Sequence, residues 1–108
     1  MKRLKVLLLF ALLISSLSSS RDIKHFFETF LTDEEKTMLT KRLMIHLMLE
    51  RGYSALEVAA VVGVGAETVR IHRQIQRKGD EIYQGIIAKL SDKRKVNDFW
   101  KSVEKVLK

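Results

Sequence analysis

Between Ser54 and Lys78 the chain reads SALEVAAVVGVGAETVRIHRQIQRK, two apolar-periodic segments held apart by Gly63-Val64-Gly65. Nothing else in the sequence restricts the fold so tightly. Ser54 followed by Glu57 forms a capping box that closes a first helical turn reciprocally. Gly63 stops that helix, because glycine takes the left-handed conformation past a helix end without steric cost, so one short helix is expected over Ala55 to Val62. A second is expected from Ala66 to Lys78, ended by Gly79 and carrying Arg77 and Lys78 at its negative end. Two helices crossing steeply need a small residue at the crossing and apolar inner faces. Ala59 supplies the first, and Val58, Val62, Val64 and Val69 the second, with Thr68 beside them.

The outer face of the second helix is basic. Arg70, Arg73, Arg77 and Lys78 are interleaved with Gln74 and Gln76, and no acid falls between Arg70 and Lys78. Cations meet phosphates, and amides and guanidinium groups meet base edges, so this is the composition of a helix that enters a DNA groove. A basic helix can also be a merely solvated face. The Ala59, Gly63, Val69 spacing in front of it favours the DNA-binding reading.

The remaining sequence fits around such a motif as a single domain, 1–108. With no proline, 46% hydrophobic residues and only 7% aromatics, the chain is expected to be all-α. Twenty Lys and Arg against 13 acids give a net charge of +7, which selects a polyanionic partner, nucleic acid or an anionic membrane. The absence of cysteine excludes disulfides, a thiol nucleophile and Cys-based zinc sites. His25, His46 and His72 fall on separate expected helices, with no hydroxyl or carboxylate at catalytic spacing and no histidine pair for zinc. No enzyme activity, catalytic residue, metal or cofactor is therefore expected.

Residues 1–20 read in two ways. MKRLK, the apolar run Val6 to Ile14 and SSLSSS have the pattern of a secretory signal, though the run is too short to span a bilayer. Alternatively, Lys2 to Leu17 is a retained helix, apolar nearly all round because it is buried against a partner chain. The DNA-binding motif downstream favours retention, since an exported protein meets no chromosome.

Ser19 with Asp22 starts a helix that places Ile23, Phe26, Phe27 and Phe30 on one face, expected to be core. Thr32 with Glu35 opens a long helix ending near Arg51 at the Gly52 stop. Its Met38, Leu39, Leu43, Ile45, Leu47, Met48 and Leu49 cover more than one face, as in a scaffold buried on several sides. Asp80 caps a helix bearing Ile82, Tyr83, Ile86, Ile87 and Leu90. Ser91 is expected to cap the last, 91–108, with a stripe of Val96, Phe99, Trp100, Val103, Val106 and Leu107. Lys93, Arg94 and Lys95 make its start basic, read as solvated charge rather than as phosphate contacts.

From Phe26 to Leu90 the chain resembles the tryptophan repressor family, and more closely its Trp-repressor-like branch. The resemblance rests on LTDEE at Leu31 to Glu35, the Arg42 segment with ERG at Glu50 to Gly52, GVGAETV at Gly63 to Val69, and GDEIY at Gly79 to Tyr83. It implies an interlocked all-helical homodimer of about six helices per chain, with N-terminal helices wrapped around the partner. Two recognition helices would enter successive major grooves of a near-palindromic operator, its half-sites about one helical turn apart.

The resemblance also implies a ligand pocket formed by Thr32, Arg42 and the position of Ile71. In the family's tryptophan binder that last position is an arginine, followed by glycine where this chain has His72. Without the guanidinium that pairs with a carboxylate, no response to tryptophan is expected. Thr32 then serves as a cap and Arg42 packs its stem against the core. Ile71 replaces the polar or basic residue common at that point, and either meets a thymine methyl or turns inward; the sequence leaves both open.

The leading expectation is a sequence-specific transcriptional regulator, a repressor that occupies a promoter as a homodimer in the cytoplasm, at the nucleoid. Its DNA-facing residues are Gly65, Ala66, Glu67, Thr68, Arg70, Ile71, Arg73, Gln74, Arg77 and Lys78. Of these, Glu67, Arg70, Arg73 and Gln74 face bases, and Thr68, Arg77 and Lys78 hold phosphates. A small-molecule effector is left open and unidentified, and no membrane partner is expected. The competing expectation is an exported basic helical protein, cut near Ser20, that binds an anionic surface or another protein.

Overall fold

Side-chain caps at Ser19, Thr32, Ser54 and Asp80 start four of the helices. The computed structural model describes residues 3–92 and 94–108, and among these there are seven α-helices and no strand: α1 (Arg3–Ser16), α2 (Ser20–Phe30), α3 (Asp33–Glu50), α4 (Ala55–Val62), α5 (Ala66–Arg77), α6 (Glu81–Leu90) and α7 (Asn97–Leu107). Lys2, the expected first residue of α1, and Lys93 lie outside the described residues. The chain divides into two compact units, Met1–Met38 and Leu39–Lys108.

In the first unit, α1 is apolar on every side, and Val6, Leu7, Leu8, Leu9, Leu12 and Leu13 are all exposed. No helix among the described residues is long and apolar enough to cross a membrane. The Ser19 hydroxyl accepts the Asp22 N–H and starts α2. The expected aromatic core of α2 is not found, since this helix has no buried residue and Phe30 is exposed. Its rings pack on one another instead: Phe26 stacks on Phe30 with centroids 4.9 Å apart, and Phe10 lies 5.9 Å from Phe30. Thr32 and Glu35 exchange backbone-to-side-chain hydrogen bonds of 3.1 and 2.9 Å, which close the start of α3.

The second unit holds the core. Its buried apolar residues are Ile45, Leu47 and Met48 of α3, Ala55, Val58 and Val62 of α4, Val69 of α5, Ile87 of α6, and Trp100 and Val103 of α7. Only the C-terminal half of α3 is the buried scaffold that its pattern led us to expect, because Met38, Leu39 and Leu43 are exposed.

Two chain reversals differ in mechanism from expectation. Gly52 and Gly63 have φ of +89° and +78° and act as left-handed stops. Gly79 does not: α5 ends on Lys78 in right-handed conformation, and a Cβ at Gly79 would sit 2.8 Å from Tyr83 Cδ2 and 3.1 Å from the Gln76 carbonyl oxygen. Glycine is needed there for space. Ser91 likewise ends α6 rather than starting α7. Its buried carbonyl accepts the Trp100 indole N–H at 3.1 Å, and a turn closed by Val96 N–H to Asp92 O delays the last helix until Asn97. Trp100 also stacks on Tyr53 and carries the Arg51 guanidinium 5.0 Å above its ring, which joins α7 to the loop in front of α4.

Candidate nucleic-acid interface

α4 presents itself to α5 through a fully formed capping box and a left-handed glycine. Ser54 Oγ accepts the Glu57 N–H at 3.2 Å while Glu57 Oε1 accepts the Ser54 N–H at 2.9 Å. At the other end the Gly63 and Val64 N–H groups both bond the Ala59 carbonyl. The Lys41 ammonium donates to the Gly63 carbonyl at 3.3 Å, so the turn is also tied back to α3. Val58 and Val69 are completely buried across the crossing, with Ala59 and Val64 partly buried beside them. Each fully buried valine contributes about 1.5–3 kcal/mol relative to exposure.

α5 has two sharply different faces. Val69 and Gln76 are buried and His72 is half-buried. Glu67, Thr68, Arg70, Ile71, Gln74, Arg77 and Lys78 are exposed, as is Gly65 at the helix entry, while Ala66 and Arg73 are half-buried. Of the four cations, three are therefore open to solvent. Arg73 lines a cleft of about 290 Å³ with Glu50, Tyr53, Gln76, Arg77 and Gln84. No side chain caps the start of α5, where the positive end of the helix dipole lies. Arg70 pairs with Glu67 at 3.4 Å, an exposed i,i+3 contact weak enough for a phosphate or base to displace it.

Gln76 is a correction. The sequence placed it among the base readers, but its Nε2 donates to the His46 carbonyl at 3.2 Å inside the protein, and its Oε1 is buried with no hydrogen-bond partner. The helical period that puts Val69 inside puts residue 76, seven positions on, on the same face.

Beside Gln76 lies a polar row that sequence reasoning missed. His46 Nδ1 bonds the Tyr83 hydroxyl, and His46 Nε2 is 3.2 Å from His72 Nδ1, so one imidazole links α3, α6 and α5. Either neutral tautomer satisfies both bonds, because one ring nitrogen donates and the other accepts. Burial lowers the pKa of His46 below its ordinary value, and His72 and Arg42 add to the effect. His72 is lowered for the same reason, with Arg42 again contributing. Burial raises the pKa of Tyr83, against the pull of Arg42. All three shifts favour the neutral forms, which suit a hydrogen-bonded row partly withdrawn from water.

The residues of the expected ligand pocket belong to different helices. Thr32 caps α3 in the first unit, and in the second unit Arg42 is exposed on α3 and Ile71 is exposed on α5. Of the two orientations left open for Ile71, the outward one is adopted.

A short helix, a glycine turn and a second helix whose outer face is cationic define a DNA-binding helix-turn-helix regulator. The family model described as Trp repressor protein matches residues 5–91, and the chain belongs to that family. No curated protein and no solved structure matches the chain. α7, with its buried Trp100, lies beyond the matched residues.

Proposed function

We propose that the chain is a transcriptional repressor that binds a near-palindromic operator as a homodimer and blocks a promoter by occupying it. The observation that carries this reading is the outer face of α5, where Arg70, Arg77 and Lys78 surround Glu67, Ile71 and Gln74 with none of these side chains committed to the core. Arg70, Gln74 and Glu67 read bases, with Arg73 reaching them from its cleft. Thr68, Arg77 and Lys78, together with the N–H groups of the Gly65-Ala66 entry, hold phosphates. Dimerisation is supported by α1: six exposed Val and Leu side chains on one helix form an apolar surface that isolated domains rarely leave open. In this reading α1 is retained and covered by a second copy, and the protein works at the chromosome, in the cytoplasm. Tryptophan is not the effector, because Ile71 offers nothing to a carboxylate.

The test is selection of bound duplexes from a random pool by the full-length protein at two salt concentrations. A palindrome that survives the higher salt is expected, since non-specific phosphate contacts weaken steeply with salt. Arg70→Ala should relax specificity and cost about 1–3 kcal/mol, whereas Lys78→Ala should weaken all sequences alike. Recovery of salt-labile background alone would refute the regulator reading. An intact mass starting near Arg21 instead of Met1 would then identify the exported alternative.

A further inference from the structure

We propose that His46, buried in α3, is the positioning residue of the recognition helix: it fixes the tilt of α5 and, through that tilt, the specificity of operator binding. The proposal rests on the regulator reading and adds how the reading face of that regulator is held in place.

α5 is fastened differently in its two halves. Val69, in the first, is its one buried apolar side chain. The inward positions of the second half are polar, with His72 half-buried and Gln76 buried. Both of these bond the same residue. His72 Nδ1 lies 3.2 Å from His46 Nε2, and Gln76 Nε2 donates to the His46 carbonyl at 3.2 Å. His46 is itself only 2% exposed, and its Nδ1 bonds the Tyr83 hydroxyl of α6. The Tyr83 ring in turn fills the space beside Gly79, just past the end of α5. Burial, with Arg42 adding to it, disfavours a charged ring at either histidine, which preserves the pairing of one donor with one acceptor. Every one of these bonds lies within a single chain, so none depends on what a second copy covers.

Apolar contact holds a helix close without fixing its direction, whereas a hydrogen bond weakens steeply with angle. Val69 therefore acts as a pivot, and the bonds to His46 stop the rotation about it. The lever is long enough to matter. Gln74 is five residues beyond Val69, about 7.5 Å along the helix, and Arg77 about 12 Å, so a tilt of about 10° moves their Cα atoms by about 1.3 and 2 Å. A hydrogen bond to a base edge tolerates a spread of only about 0.5 Å in length. Attraction between a cation and a phosphate falls off far more gently with distance. Loss of the His46 bonds thus acts on base reading and leaves general affinity for DNA in place.

Leucine in place of either histidine removes the bond between them and keeps a side chain of similar size. Affinity of the full-length protein would be measured for the selected operator and for a random duplex in His46→Leu, His72→Leu, the double variant and His46→Gln. One lost base contact corresponds to about 5- to 150-fold, so each leucine variant should lose operator affinity by at least about 5-fold while its affinity for the random duplex stays within about 2-fold of the parent. Because the two rings act through one bond, the double variant should lose no more than either single one. His46→Gln, whose amide both donates and accepts, should recover operator binding. If His46→Leu fails to fold, His72→Leu carries the test, since its position is only half-buried. Unchanged operator affinity in His72→Leu, losses that add in the double variant, a His46→Gln no better than His46→Leu, or operator and random-duplex affinities that fall together would each overturn the proposal, while specific binding by the parent protein still upholds the regulator reading. Failure of the parent protein to bind any operator specifically would overturn both.

Discussion

Replacing Gly79 by alanine tests whether the end of the recognition helix is set by space or by backbone conformation. φ at Gly79 is not in the left-handed region, so alanine meets no backbone penalty and restricts the unfolded chain, a gain of about 0.4–1 kcal/mol. Against that, the new Cβ would stand 2.8 Å from Tyr83 Cδ2, 3.3 Å from Cγ and 3.1 Å from the Gln76 carbonyl oxygen. The ring cannot simply swing aside, since its hydroxyl is bonded to His46. Overpacking of this kind costs about 1–3 kcal/mol, so we expect a net destabilisation of about 0–2.6 kcal/mol. Urea unfolding at one fixed protein concentration would measure it, with concentration held because partner binding shifts apparent stability. The decisive arm is the Tyr83→Ala background, where both ring contacts vanish and a coupling of about 0.5–3 kcal/mol should appear. An equal penalty in both backgrounds would show that Tyr83 is not the obstacle, and the account of this helix end would fail.

Two further outcomes follow from the buried polar row. Both histidines sit below the ordinary 6.5 in the folded chain, so on acidification the unfolded chain takes up protons first. Stability should therefore hold above about pH 6.5 and fall as pH drops below it, while the raised Tyr83 produces a second decline above about pH 10, where the unfolded tyrosine ionises first. Thermal melts across pH would trace both limbs, and an acid limb as steep in a His46→Gln, His72→Gln double variant as in the parent would exclude this row as its source. Gln76→Ala should lose about 1–3 kcal/mol of stability while leaving the base preferences of the operator unchanged. A changed operator with unchanged stability would return Gln76 to the reading face.

Much of this was legible locally. Capping boxes at Thr32 and Ser54, the left-handed stops at Gly52 and Gly63 and the Asp80 cap act over three or four residues, and each falls where the sequence placed it. What escaped depends on distant partners. Gln76 looks like its neighbour Gln74 in composition, and only the register fixed by Val69 turns it inward. The His46 row requires three helices to converge, which no spacing along the chain announces. The phenylalanines of α2 were expected to be core because apolar periodicity reports which side faces away from water without stating what lies opposite. A glycine after a helix reads as a conformational stop, whereas Gly79 admits a ring four residues ahead.

The division of α5 into two faces has a consequence for how such a protein can change. Val69, His72 and Gln76 hold the helix to α3 and α4 and share its inward face. Glu67, Arg70, Ile71, Gln74 and Ile75 make no contact on which the core depends. Those five positions can therefore vary without renegotiating the fold, and with them the address that the proposed repressor reads. The same scaffold is a starting point for retargeting by laboratory selection, with diversity confined to five codons.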